Sequence, residues 1–223
     1  MRHQAGGVSS PPAPLPMGEG RYFYNILKGN RMDYLKLYDL EKYLFDVVRS
    51  NFERDRKLNA FDFFCIIIWK ANRAKSIIAK ILLEKDGNRR KDLDAIVGDV
   101  TKSLADTDAE KEKMRILIEK WEFRLPMASA ILSVLWPDKF TVYDVRVCEQ
   151  LGGDYKTIQD QACFEDLWNG YNRYIEAVQN IVPEVAILRD KDRILWAKSF
   201  EKQLNKDIAM LFQKEELAHK DEV

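Results

Sequence analysis

The sequence contains little that could bind a metal ion. It has three cysteines (Cys65, Cys148 and Cys163) and two histidines (His3 and His219), and both histidines lie near the termini. The cysteines are too widely separated for a Cys-x-x-Cys metal motif, and three thiols do not make a disulfide framework. We therefore expect no metal site and a reducing, cytoplasmic setting. Any chemistry would then depend on carboxylates, amides and hydroxyl groups.

Excess charge and long apolar runs are also absent. The chain has 36 basic and 36 acidic residues, so it is not a general polyanion binder, and contact with a nucleic acid would need local clustering of charge. Its longest apolar run, residues 63–69, is far shorter than the roughly 20 residues that cross a membrane. We expect a soluble protein without a membrane partner.

What the sequence does contain is helical periodicity. Apolar residues, 46% of the chain, recur at spacings of three and four with no convincing alternation typical of strands, which predicts an all-α fold. The length suits one compact domain or two small lobes sharing a cleft. Residues 1–20 are rich in Pro, Gly and Ser and are interpreted as a disordered leader or an expression remnant, and residues 214–223 as a flexible tail. Asn59 is predicted to cap the helix that begins after it, and Thr107 and Glu110 have the spacing of a capping box.

Residues 120–151 form the most informative stretch. They predict a helix, a short turn, a second helix beginning near Pro126, a loop, and a third helix that begins just after Asp144. An Asp in this position accepts backbone N–H bonds and lies at the positive end of the helix, and both effects favour its ionised form. Because Asp is among the commonest capping residues, this position alone indicates a cap and not a catalyst.

The wider pattern resembles the helix-hairpin-helix (HhH-GPD) DNA glycosylases, in which a hairpin is followed by a loop and a catalytic Asp. Asp144 lies 16 residues after Ala128, close to the family's interval. The matching segments are Met127-Ala128, Ala130-Ile131-Leu132, Pro137-Asp138-Lys139-Phe140 and Val142-Tyr143-Asp144. The resemblance implies a single two-lobed helical domain over residues 21–213, with the hairpin region at about 111–151, and Asp144 as the catalytic residue.

A second match lies upstream. Residues 61–72 resemble the family's Phe-Glu-Leu-Leu helix, which ends in Ala-Gln, and Asn72 occupies the position of that glutamine. In the family, this side chain lies at the DNA face and fills the gap left by a flipped base. The resemblance therefore implies that Asn72 binds DNA.

Three departures qualify the resemblance. Glu122 and Arg124 replace the glycines of the family's Gly-x-Gly turn, so Arg124 would contact phosphate through its side chain and Glu122 would repel it. Pro126 replaces the lysine of the bifunctional members, so Schiff-base chemistry and strand cleavage are not expected. The four closely spaced cysteines of the iron–sulfur branch are missing, which leaves an enzyme without a cofactor.

Charge distribution adds an independent observation. Residues 70–91 contain eight basic and two acidic side chains, a local net charge of +6, and the cluster starts at Asn72. Such a run is usually a solvated surface, but its position favours phosphate contacts from Arg73 and Lys75. Phe23, Tyr24, Trp69 and Trp136 are candidates for stacking on an extruded base, although helical spacing predicts that Trp69 and Trp136 belong to the core.

These observations lead to one main hypothesis and two alternatives. The first is a monomeric, monofunctional DNA glycosylase that binds double-stranded DNA, flips out a damaged or modified base and hydrolyses its N-glycosidic bond with Asp144. Its role would be repair or, given the divergent turn, defence by excision of modified phage bases. The second hypothesis is a non-catalytic helical module that binds DNA or protein, and the third is a helical scaffold without a nucleic-acid role.

Overall fold

The computed structural model describes residues 34–213, and throughout this range the regular structure is helical, with no strand. The all-α prediction is therefore confirmed. The predicted leader (1–20), the predicted tail (214–223) and the stacking candidates Phe23 and Tyr24 lie outside the described residues. The chain divides after Asp39 into two compact units. In the first unit the described part contains helix α1, Tyr34–Tyr38.

The second unit contains all the remaining helices. It begins with α2 (Leu40–Tyr43), which continues through a π-helical turn (Leu44–Val48) into α3 (Arg49–Asp55). The other elements are α4 (Ala60–Ala71), a 3-10 turn (Asn72–Ala74), α5 (Lys75–Lys85), α6 (Leu93–Ala105), α7 (Glu110–Arg115) with a π-helical turn (Ile116–Lys120), α8 (Leu125–Leu135), α9 (Val145–Leu151), a 3-10 segment (Gly153–Asp160), α10 (Phe164–Ile181) and α11 (Leu188–Ala209). Within the described range, no helix has both the length and the apolar character needed to cross a bilayer.

Two apolar helices, α4 and α8, form the centre of this unit and pack against each other. Asn59 caps α4 as predicted, because its side chain accepts a hydrogen bond from the N–H of Asp62. Every residue of α8 except Pro126 is buried, and Pro126 lies in the first turn, where its missing N–H costs no hydrogen bond. The burial of both helices fixes where their ends lie.

The predicted capping box at Thr107 is wrong. Helix α7 does begin at Glu110, but its N-cap is Ala109, which has no capping side chain. The Thr107 hydroxyl instead donates to the carbonyl of Ser103, 2.8 Å away, in the last turn of α6. A threonine hydroxyl can also donate to the carbonyl four residues earlier, and Thr107 forms this hydrogen bond instead of capping the following helix.

The extended segment 141–143 carries the chain from α8 to Asp144, and buried hydrogen bonds hold it in place. Tyr171 and Tyr174 on α10 donate from their hydroxyls to the carbonyls of Thr141 and Val142, at 2.6 and 2.8 Å. The N–H of Tyr143 donates to the Ser129 hydroxyl on α8, at 2.9 Å. The backbone that leads to Asp144 is therefore fixed by two helices.

Replacement of Ser129 by Ala tests this constraint. The substitution leaves the buried N–H of Tyr143 without an acceptor, so we expect the free energy of unfolding to fall by about 1–3 kcal/mol. Chemical denaturation measures the loss. Ser133→Ala is the matched control, since Ser133 is equally buried one turn later on α8 but only donates to the carbonyl of Ala130 in its own helix. Equal losses from both variants would contradict the role of Ser129.

Candidate active site

Asp144 lies at the N-terminus of α9, as the sequence predicts. Its backbone is extended, and its carboxylate Oδ1 accepts a hydrogen bond from the N–H of Arg146 at 2.9 Å. This arrangement satisfies one of the free N–H groups of the first turn and places negative charge at the positive end of the helix. The carboxylate is thereby held in one orientation.

The second oxygen of Asp144 contacts an amine that the sequence did not single out as a site residue. Lys70, in the last turn of α4, donates from Nζ to Asp144 Oδ2 at 2.6 Å and to the carbonyl of Tyr143 at 3.3 Å. Only 13% of the Lys70 side chain and 21% of the Asp144 side chain are exposed, so this ion pair is largely shielded from water. The sequence signals for Lys70 are its place at the start of the basic cluster and its position two residues before Asn72.

These contacts determine the charge of Asp144. Burial alone would raise its pKa, but the ammonium of Lys70 and the N–H of Arg146 outweigh burial and lower the pKa below its usual value of 3.8. Asp144 is therefore ionised at neutral pH, as the sequence predicts for a carboxylate at the start of a helix.

The larger of two pockets beside Asp144 has a volume of about 500 Å³, which is within the usual range for small-molecule sites. It is lined by Glu41, Trp69, Lys70, Val142, Asp144, Arg189, Asp192, Arg193, Trp196 and Ala197. The pocket thus combines two indole rings with several charged groups. Trp69 was predicted to belong to the core, and this prediction is wrong because its side chain is only half-buried and lines the pocket.

The pKa of a second carboxylate in this pocket is shifted in the opposite direction. Asp192 is almost fully buried, and burial raises its pKa to about 6, although its ion pair with Arg189 opposes the shift. Arg189 also pairs with Glu41 at 2.6 Å and lies over the Trp69 ring at 5.1 Å. Its Nε–H is buried and has no hydrogen-bond partner among the described residues. Neither Asp192 nor Arg189 was predicted as a site residue.

The smaller pocket has a volume of about 180 Å³ and lies on the side of Asp144 facing the turn before α8. Its lining consists of Lys70, Pro126, Tyr143, Asp144, Val145, Lys156 and Gln159. Lys70 and Asp144 line both pockets, so their ion pair is common to the two cavities. A ligand in either pocket could contact both charges.

The predicted DNA-binding residues that follow α4 lie on the surface, in the 3-10 turn and at the start of α5. Asn72, Arg73 and Lys75 are all exposed and follow directly after the helix that carries Lys70. The Lys75 ammonium donates to the side-chain oxygen of Asn72 at 2.9 Å. The structure therefore brings this predicted group to the end of α4 that also contacts Asp144.

Arg124 lies at the rim of the smaller pocket. It is exposed and donates to the side-chain oxygen of Gln159, one of the pocket residues, at 3.5 Å. The preceding Glu122 has a positive φ of 55°, a conformation that normally favours glycine, and its carboxylate pairs with Lys85. The negative charge expected to repel phosphate at this turn is thus compensated by a lysine from α5.

Part of the positive charge of the basic cluster over residues 70–91 is compensated in the fold by ion pairs. Three of its cations pair with carboxylates from outside the segment: Lys70 with Asp144, Lys85 with Glu122, and Arg90 with Asp99. Among the described residues, no ion pair involves Arg73, Lys75, Arg89 or Lys91. The charge available for phosphate is therefore concentrated at two places, next to Asn72 and in the turn after α5.

Comparison with known proteins identifies no relative: no protein-family model matches the chain, and no curated protein or solved structure is significantly similar to it. In the part of the chain that the structure describes, no three His, Cys, Asp or Glu side chains come close enough together to hold a metal ion. The function is therefore argued from the site itself.

Asp192 gives this site a defined pH dependence of stability. Its folded pKa of about 6 lies above the ordinary 3.8, so its protonated form stabilises the fold below about pH 4, and that stabilisation is lost as the pH rises through about 6. At about 1.4 kcal/mol per pKa unit, the loss is up to about 3 kcal/mol. Because Asn cannot ionise, the Asp192→Asn variant does not undergo this loss. Its free energy of unfolding should therefore increase relative to that of the wild type as the pH rises from 4.5 to 7.5.

Thermal denaturation of both proteins at several pH values measures this difference. The exposed Asp138→Asn serves as control, and its stability relative to the wild type should not change over the same pH range. A difference between Asp192→Asn and the wild type that is constant with pH would show that Asp192 is ionised throughout.

Proposed function

We propose that the chain is a DNA glycosylase of the helix-hairpin-helix type, which flips a base out of double-stranded DNA and removes it with Asp144. The observation that carries the proposal is an ionised, oriented carboxylate at the start of a short helix, between two pockets and beside a basic surface. The order of helix, turn, apolar helix, extended segment and Asp144 supports the resemblance noted in the sequence.

The chemistry requires a stable negative charge. As an N-glycosidic bond breaks, positive charge develops on the deoxyribose, and a carboxylate held close to C1′ stabilises it electrostatically. Asp144 meets this requirement because its pKa is lowered and its orientation is fixed by the N–H of Arg146. The ammonium of Lys70 reduces the field of the carboxylate in the free protein, so it must move away from Oδ2 when the sugar binds.

The larger pocket suits an extruded base. The indoles of Trp69 and Trp196 offer faces for stacking, and Glu41, Arg189 and Asp192 offer hydrogen-bond donors and acceptors for the edge of a base. Since the pocket also reaches Asp144, a base bound here would place its sugar near the carboxylate.

Phosphate contacts come from the surface around this site. Arg73 and Lys75 lie beside Asn72, which would brace the gap in the base stack, and Arg124 contacts Gln159, a residue that lines the smaller pocket. We extend the proposed substrates to modified phage bases as well as damaged ones, because the turn at Glu122 departs from the ordinary glycine-rich form.

A non-catalytic helical module is the second candidate, and the Lys70–Asp144 pair favours it. An ion pair that joins the end of α4 to the start of α9 is also what a purely structural connection between two helices requires. This candidate predicts DNA or protein binding without release of any base.

Asp144→Asn distinguishes the two candidates. Because an amide has no charge with which to stabilise the sugar cation, we expect base release to fall by at least about 100-fold while DNA binding is retained. Purified protein would be incubated with DNAs carrying damaged, mismatched or glucosylated bases, and abasic sites would be cleaved with alkali. Asp138→Asn, an exposed carboxylate in the loop after α8, is the control and should remain fully active. Equal base release by Asp144→Asn would refute the assignment, and no release by the wild type would favour the module.

The DNA-binding surface makes a separate prediction. Arg73→Ala, Lys75→Ala and Arg124→Ala should each weaken duplex binding and reduce the slope of log K against log salt by about 1, the effect of one lost phosphate contact. Fluorescence anisotropy at several salt concentrations measures both quantities. Lys102→Ala is the control, since Lys102 lies on α6, where its ammonium pairs with Asp106 at the end of the same helix. Unchanged slopes in all three variants would mean that DNA binds to another face.

A further inference from the structure

The second half of helix α11 has few neighbours in the described part of the chain. Its first half packs against α9 and α10, and the buried residues of the helix end at Ser199. Residues 200–209 continue the helix for about 15 Å, and none of them is buried. Helices in proteins owe most of their stability to the packing of an apolar face. Within the described residues, this half of α11 therefore lacks the contacts that normally stabilise a helix.

An apolar stripe runs along this half of α11 and consists of Phe200, Leu204, Ile208, Leu211 and Phe212. The first three follow one another at intervals of four residues, which places them on one side of the helix. Leu211 and Phe212 come directly after the helix, and the exposed fractions of the five residues lie between 37% and 79%. So many large apolar side chains in one short segment indicate a surface that binds a partner.

The backbone at the end of the stripe is in an unfavourable conformation. Leu211 and Phe212 have positive φ values of 52° and 57°, in a region that residues with a Cβ rarely adopt. This conformation leaves both side chains in water within the described part of a single chain. Burial of the two side chains against a partner would offset its cost.

The area of the apolar stripe is sufficient for association. At about 200 Å² for each large side chain, the exposed fractions of the five residues correspond to about 500 Å². A patch of about this size is at the upper end for a monomer. Two such patches that face each other bury about 1,000 Å², the area at which specific interfaces begin.

The spacing of the stripe also makes it complementary to itself. A row of residues four apart forms a ridge, and two such ridges fit into each other's grooves when two helices cross. With a two-fold axis next to Leu204, Phe200 of each copy lies opposite Ile208 of the other, because both residues are four positions from Leu204. The two copies of Leu204 then face each other at the centre of the contact.

The charges of the chain agree with a second copy as the occupant of the stripe. The chain has 36 basic and 36 acidic residues, so two copies do not repel each other through a net charge. DNA is a poor occupant, because the apolar side chains of the stripe offer no hydrogen-bond donors to phosphate. A second copy, in contrast, presents an apolar surface of the same length and spacing.

We propose that the apolar stripe is the interface of a symmetric homodimer, in which two α11 helices pack antiparallel about a two-fold axis next to Leu204. This assembly differs from the monomer expected from the sequence. Trp196 lies where the stripe meets the larger pocket, because its indole stacks on Phe200 at 5.6 Å and also lines that pocket. The dimer thus supports one wall of each large pocket. Its formation does not depend on glycosylase activity.

Sedimentation equilibrium of the full chain measures the assembly. The wild type should reach twice the chain mass of 26.1 kDa at concentrations up to about 100 μM. Leu204→Glu places two carboxylates against each other in an apolar contact, so the dissociation constant should rise at least about 100-fold. Ile77→Glu is the matched control, because Ile77 is an exposed apolar residue of α5 outside the stripe, and this variant should remain dimeric. Circular dichroism checks that both variants keep their helix content.

A disulfide tests the position of the two-fold axis. Because Cys163 is exposed, the variants are made in a Cys163→Ser background. Leu204→Cys should be linked to its counterpart under mild oxidation, since a residue next to the axis meets its own copy within the Cα separation of about 4.4–6.8 Å that a disulfide requires. Ile77→Cys should remain unlinked.

Each result decides the inference without reference to base release. A wild type that stays monomeric overturns it, since the stripe is then covered by another part of the chain or by another partner. A dimer that Leu204→Glu does not weaken, or that Ile77→Glu weakens equally, also overturns it, because the interface then lies elsewhere. A dimer that only Leu204→Glu dissociates, and that residue 204 links, supports it whether or not any DNA base is released.

Discussion

The joint burial of α4 and α8 is the constraint on which the rest of the structure depends. Both helices are rich in apolar residues, and they bury most of them by packing against each other and against the neighbouring helices. A helix buried in this way cannot rotate or slide without exposing apolar surface at a cost of about 25 cal/mol per Å². The ends of α4 and α8, which border the candidate site, are therefore fixed by the core.

Lys70 shows what this constraint does to a charged residue. It occupies the last turn of an apolar helix, where an isolated ammonium would lose most of its hydration. The carboxylate of Asp144 compensates for that loss, and the segment leading to Asp144 is held by α8 and by two buried tyrosines of α10. The ion pair thus depends on backbone hydrogen bonds that lie behind it. Its two members have little freedom unless a ligand replaces one of the contacts.

The sequence predicts local features of this site better than distant ones. The caps at Asn59 and Asp144 and the helix start near Pro126 follow from the residue and its immediate neighbours, and the structure confirms them. The Lys70–Asp144 pair joins positions 74 residues apart, and no local rule specifies it. The same holds for Glu122, whose partner Lys85 comes from another helix. The prediction of a cap at Thr107 is wrong for a different reason. The Thr107 hydroxyl could either cap the following helix or donate to the carbonyl of Ser103, and the sequence does not show which of these hydrogen bonds forms.

The pKa values of the two carboxylates of the larger pocket are shifted in opposite directions. Asp192 and Asp144 are both removed from water, yet burial raises the pKa of Asp192 to about 6, whereas Lys70 and Arg146 lower that of Asp144. Opposite shifts in neighbouring acids are how one site holds a fixed negative charge and a proton that can be exchanged near neutral pH. A ligand that draws Lys70 away from Asp144 would remove an ammonium that opposes the electrostatic repulsion between Asp144 and Asp192. Proton uptake by Asp192 would then offset the repulsion and keep Asp144 as the anion of the two.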